Sequence, residues 1–144
     1  MKLTFTNLLY FLLLPVLASC NKSEEATPVP KPVTKTVVFE VFGDQDFSYS
    51  RYGDEQVSIS LLIRRQDKET LAETIVFDST FSTALKHIPV RANRLQVKKT
   101  IPDVQDNKEI VHIGVGYNLM QTSFGKSINL PADQVEKKVQ LTVY

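Results

Sequence analysis

From Val37 to the C-terminus the apolar residues recur with a period of two, and that rhythm limits the fold more than any other feature of the chain. Val37, Phe39 and Val41 alternate with Val38, Glu40 and Phe42, and Val57, Ile59, Leu61 and Ile63 alternate with Ser58, Ser60, Leu62 and Arg64. Successive side chains of a strand point to opposite faces, so these runs predict strands with one face more apolar than the other. Leu71, Ile75 and Phe77 continue the pattern within 70–78, where Glu73 interrupts the apolar side and predicts an edge or a strand end. The rhythm returns at Leu95 and Val97, at Val111, Ile113, Val115 and Tyr117, and at Val139, Leu141 and Val143. Turn residues separate the runs at Gly43-Asp44, Tyr52-Gly53-Asp54, Arg65-Gln66-Asp67, Pro102-Asp103 and Pro131-Ala132-Asp133. No helical stripe of useful length competes, although residues 131–138 allow one short turn. The expectation is an all-β domain over residues 36–144, a single antiparallel β-sandwich of about seven to nine strands. A chain of that length buries a core without staples, and it shows no internal repeat.

The stretch Phe81-Ser82-Thr83-Ala84-Leu85-Lys86-His87-Ile88-Pro89-Val90, followed by Leu95-Gln96-Val97, reads as strand, apolar-x-Pro corner and returning strand. It resembles the corner of fibronectin type III and transthyretin-like sandwiches, with Asn93 and Arg94 where a fibronectin module has a tyrosine. Val38-Phe39-Glu40-Val41-Phe42-Gly43, with Phe47-Ser48-Tyr49 after it, resembles the opening of small Bacteroidota lipoproteins of immunoglobulin-like or transthyretin (prealbumin)-like build. The resemblance implies architecture and carries no activity.

The N-terminus reads differently. Lys2 precedes an apolar run from Leu8 to Leu17, broken by Tyr10 and Pro15, which leads into Ala18, Ser19 and Cys20. As a helix the run crosses only about half of a roughly 30 Å hydrocarbon core, so residues 1–19 read as a removable signal peptide and not as a permanent span. Leu17-Ala18-Ser19-Cys20 resembles the lipobox of bacterial lipoproteins, and Cys20 is the only cysteine of the chain. That resemblance implies a diacylglyceryl group on Cys20 and a membrane anchor without a transmembrane helix. Two or three acyl chains, at about 0.8 kcal/mol per buried methylene, hold a protein firmly. Asn21-Lys22-Ser23-Glu24-Glu25 resembles the acidic export signal of surface lipoproteins of the Bacteroidota. The implied address is the outer membrane, on either leaflet, with the acidic run pointing to cell-surface exposure.

Residues 20–35 then read as the lipidated cysteine and a stalk. Pro28, Pro30 and Pro32 alternate and favour extended polyproline II backbone. At about 3.1 Å per residue, 21–35 reaches on the order of 45 Å. Removal of 1–19 takes Lys2 from the 17 basic residues and leaves 16 against 16 acidic ones. A neutral chain has no positive field to gather nucleic acid, so no nucleic-acid partner is expected. With Cys20 lipidated no disulfide can form, and the domain depends on its core.

Chemistry is sparse. The two histidines, His87 and His112, have no second ligand at metal-binding spacing, and His112 alternates with Gly114 and Gly116 on the face away from Val111, Ile113 and Val115. No Gly-x-Ser-x-Gly elbow, Gly-rich phosphate loop, Cys-x-x-Cys pair or dinucleotide fingerprint is present. Asp44, Asp46, Ser48, Ser50, Tyr52 and Glu55 fall at the liganding spacing of a calcium loop. Tyr49 stands where that loop needs glycine, Arg51 where it packs an apolar residue, and no helix flanks it, so no metal site is expected. The basic residues Arg91, Arg94, Lys98 and Lys99, with Arg64 and Arg65 across a sheet, read as a solvated face in preference to an anionic-glycan site. No cofactor and no enzymatic activity are expected.

What remains is binding. Asp44 to Asp54 carries three aromatics, Phe47, Tyr49 and Tyr52. Two readings stay open. In one this is a strand with Phe47 and Tyr49 on the core; in the other it is a loop whose aromatics meet a protein or glycan partner. The corresponding roles are a non-enzymatic binding or adaptor module and, alternatively, a structural subunit of a cell-envelope assembly.

Overall fold

A computed structural model describes residues 30–144. The stretches read as signal peptide and acidic run, with Cys20 and most of the stretch read as stalk, lie outside the described residues. Seven strands form two sheets: β1 (Val33–Gly43), β2 (Gln56–Asp67), β3 (Glu73–Ala84), β4 (Leu95–Val104), β5 (Glu109–Leu119), β6 (Thr122–Leu130) and β7 (Glu136–Val143). One sheet has the order β4-β1-β7 and the other β3-β2-β5-β6. All pairs are antiparallel except β1 with β7, which run parallel. The described residues therefore form an all-β sandwich with seven strands, as the alternation predicts. In an immunoglobulin constant-type sandwich the first strand shares a sheet with the second, fifth and fourth. Here it lies between the fourth and the seventh.

The period-two residues face one another between the sheets. Val37, Phe39 and Val41 of β1 meet Val57, Ile59, Leu61 and Ile63 of β2, Ile113 and Val115 of β5, and Val139, Leu141 and Val143 of β7 in one buried cluster. The large sheet is wider than the small one. Phe77 and Phe81 on the inner side of β3 are accordingly only half-buried, although Phe77 lies 6.1 Å from Phe39, ring to ring. Tyr117 and Phe124 stack at 5.7 Å at the other flank.

β1 starts at Val33, inside the stretch read as stalk, and the cause is Lys35. This residue continues the inner parity of Val37, Phe39 and Val41 and is fully buried. Its Nζ donates to the carbonyls of Pro131, Ala132 and Gln134 at 3.0, 3.0 and 3.1 Å and pairs with Asp106 Oδ1 at 2.8 Å. An ammonium group saturated in this way ties the β6–β7 and β4–β5 connections to the first strand. Other differences are local. Pro102 and Asp103 do not end β4 but form a bulge in it, where Asp103 takes φ 54° and the register with β1 shifts. Residues 131–135 turn without forming a helix, and β6, whose apolar residues are too sparse to alternate, is invisible to the pattern.

The outer face of the small sheet holds a second buried charge. Glu40 is 2% exposed and accepts hydrogen bonds from Gln140 Nε2 at 2.9 Å and Gln96 Nε2 at 3.1 Å, its two cross-strand neighbours, while Arg94 Nε lies 2.9 Å from Oε1. The Gln140 bond, followed by that of Arg94, holds the Glu40 carboxyl below the usual carboxylate range. A depressed folded pKa adds stability above the unfolded value, and that stability is lost as pH falls through the folded one. Glu40→Gln should therefore flatten the acid limb of a stability-versus-pH curve below the ordinary glutamate value of 4.5. Thermal melts of both chains from neutral pH into the acid limb check this; parallel acid limbs would remove Glu40 from the cause.

Candidate functional site

The chain enters the sandwich at Val33 and leaves β1 at Gly43, the opposite end, about 33 Å away at roughly 3.3 Å per residue. Three connections meet at that far end: the β1–β2 loop (44–55), the β3–β4 corner (85–94) and the β5–β6 turn (120–121). The first two are locked together. Leu85 N donates to Glu55 O, Lys86 N to Gly53 O, and Gly43 N to Pro89 O, at 2.8 to 2.9 Å. Lys86 Nζ also pairs with Asp54 Oδ1 at 2.6 Å, which holds the Asp54 carboxyl low.

The β1–β2 loop is not a strand. Asp46 Oδ1 accepts from Ser48 N at 2.9 Å, Ser50 N donates to Phe47 O and Ser50 Oγ accepts from Tyr52 N, so Asp and Ser side chains fold the stretch into consecutive turns. The hydrogen bonds from Ser48 also hold the Asp46 carboxyl below its usual range. Because the chain turns, Phe47 and Tyr49 do not share a face. Phe47 is 4% exposed and belongs to the core, where Gly43 makes room for its ring: a Cβ there would lie 2.8 Å from Phe47 Cε2. Phe47 is therefore corrected from the set of partner-binding aromatics to a core residue that anchors the loop. Tyr49 is 96% exposed, and Tyr52, with the Arg51 guanidinium 4.5 Å from its ring centroid, is 42% exposed.

Beside this loop a groove of about 510 Å³ opens between β3 and β4. Its floor is apolar, from Val41, Phe81, Ile88, Pro89 and Leu95, and its rim is polar, from Thr83, His87, Asn93, Arg94 and Gln96. The volume is that of small-ligand sites in general. The resemblance to a strand-corner-strand unit pointed to this corner without exposing the groove, which needs β3 and β4 in different sheets. Leu95, Met120 and Tyr144 add exposed apolar surface at the same end.

The basic residues do not unite. Arg94 serves Glu40, Arg91 covers the Phe42 ring at 4.9 Å and Lys99 sits 4.3 Å over Phe77. Arg64 pairs with Glu73, and Arg65 lies 3.8 Å from Glu109, both towards the entry end. His87 is exposed in the corner, and His112 is half-buried with Nε2 3.1 Å from Gln66 Oε1. Among the described residues no three His, Cys, Asp or Glu side chains are placed to hold a metal ion, and no helix is long and apolar enough to cross a membrane. Comparison of the chain with known protein families, curated proteins and solved structures finds no match.

Proposed function

We propose that this chain is a lipid-anchored, non-enzymatic binding or adaptor module of the bacterial envelope, tethered through Cys20 to the outer membrane with a transthyretin-like sandwich held off the surface. Its contact end is the far end of the sandwich, and the partner is a protein or a glycan. The observation that carries this reading is Tyr49, which stands 96% exposed at the end opposite the chain's entry. A stalk leaving from Val33 would point that end away from the membrane. A loop braced by a buried Phe47 offers an aromatic ring at low entropic cost, suited to a sugar ring or a protein surface. The strand order, unlike that of an immunoglobulin constant-type domain, supports the transthyretin-like side of the resemblance.

Tyr49→Ala should leave the melting temperature unchanged and abolish retention on envelope glycans or on captured partners, with Tyr52→Ala weaker in the same direction. Unchanged binding by both variants would remove the loop from the site. For the anchor, Cys20→Ser should lose radiolabelled palmitate that the native chain takes up, and equal labelling would overturn the lipid site. A structural subunit of an envelope assembly is the second reading. One observation favours it: the free edge of β3, where another chain can add a strand.

A further inference from the structure

Among the described residues the two sheets end in four edges, β4 and β7 on one and β3 and β6 on the other. An edge is a row of free amides and carbonyls, and monomeric proteins interrupt it with lysine, proline or a bulge, or weaken it with glycine. Three edges carry such residues. β4 has Lys98, Lys99 and the Pro102-Asp103 bulge, β7 has Lys137 and Lys138, and β6 has Gly125 and Lys126. β3 has none. It runs twelve residues, Glu-Thr-Ile-Val-Phe-Asp-Ser-Thr-Phe-Ser-Thr-Ala, without Lys, Arg, Pro or Gly, and it is rich in residues that favour strands. Ile75 and Val76 are 62% and 36% exposed, and Phe77 and Phe81 are left half-buried where the small sheet stops short of them.

We propose that β3 is a self-association edge whose occupant is β3 of a second copy, paired antiparallel about a two-fold axis at Ser79, so that two four-stranded sheets become continuous. This deepens the structural-subunit reading and does not depend on Tyr49 or on the anchor. The self-complementarity of the strand argues for a second copy. A two-fold at Asp78 sets two carboxylates face to face, which is unfavourable. A two-fold at Thr80 sets Phe77 against Thr83. Centred on Ser79, Phe77 of each copy faces Phe81 of the other, and each Asp78 faces a Thr80 hydroxyl that can donate to it. Both aromatics left half-buried in the monomer then gain further cover, and aromatic cross-strand pairs are among the more favourable. The formal net charge of +1 sets up little repulsion between copies.

The test uses the whole chain carrying Cys20→Ser, in which Ser79→Cys is the single thiol. Mild oxidation should convert Ser79→Cys to a disulfide-linked dimer well before Ser127→Cys on β6. Thr80→Glu, placed opposite Asp78 of the other copy, should weaken the dimer about tenfold, and Thr80→Lys should strengthen it by a similar factor. Thr80 is exposed, so melting temperature should hold in both variants. Equal crosslinking of the two cysteines, or identical association of the two Thr80 variants, overturns the proposal. Native sizing of the chain extracted from envelopes tests the wider reading separately. A monomeric purified chain that migrates in a large envelope complex overturns the self-pairing and leaves the structural role standing.

Discussion

Ile59→Asp is expected to abolish folding, whereas Ser60→Asp is expected to be tolerated. Ile59 is 0% exposed in the centre of β2 and faces the core, with Phe81 of β3 and Tyr117 of β5 as its cross-strand neighbours. Burying an unpaired carboxylate there costs several kcal/mol, in addition to the lost apolar contacts, against a total stability of about 5–15 kcal/mol for a small domain. Ser60 points to the other face, where its Oγ lies 3.2 Å from Thr80 Oγ1 at the surface. A carboxylate there stays in water and loses only that exposed contact. Thermal melts followed by circular dichroism separate the two outcomes, and equal losses would mean that both faces of β2 are sealed from solvent.

Lys35→Met is expected to lower stability by about 3 kcal/mol, the low end of the range for removing one partner of a buried ion pair. Methionine keeps most of the side-chain volume, so the loss reports on polar partners. Three carbonyls, at Pro131, Ala132 and Gln134, and the Asp106 carboxylate lose their common donor. The low end is chosen because Asp106 is 25% exposed and the loop can turn some of these oxygens to water. Urea unfolding with an unchanged m-value measures the difference. Hydrogen exchange should rise first across 131–135, because that loop has lost its tie to β1. A loss below about 1 kcal/mol would show that water replaces the ammonium at little cost.

Most of the core was legible because a half-buried strand writes its burial into every second residue. Val57 to Ile63 and Val111 to Tyr117 are such runs, and both are buried as the alternation requires. Lys35 shows where a hydropathy pattern fails. Its parity matches Val37, yet a charged residue beside prolines reads as linker until the carbonyls that receive it, almost a hundred residues away, are brought near. Glu40 carried a signal of the same kind. Its neighbours on that face, Val38 and Phe42, are apolar, and apolar residues on both faces of a strand imply that both faces are covered. The Asp44–Asp54 stretch was ambiguous because Phe47 and Tyr49 share a parity, which separates them only if the chain turns between them. The turn is set by Asp46 and Ser48, a local hydrogen bond that composition alone does not assign. The strand-corner-strand stretch marked the corner but not the groove, because the groove's walls come from two sheets.

β1 lies between β4 and β7, with β7 in parallel register from Thr36↔Glu136 to Gly43↔Val143. The first of the seven strands to leave the ribosome is thus flanked on one side by the last of them. Closing a chain loop of that length is slow compared with forming a hairpin, and here it must precede completion of the small sheet. Until Glu136–Val143 has emerged, β1 has one neighbour and its Val37, Phe39 and Val41 lack the flanking Val139, Leu141 and Val143. The small sheet therefore stays one strand short, with one side of β1 unpaired, for as long as β7 is still being synthesised.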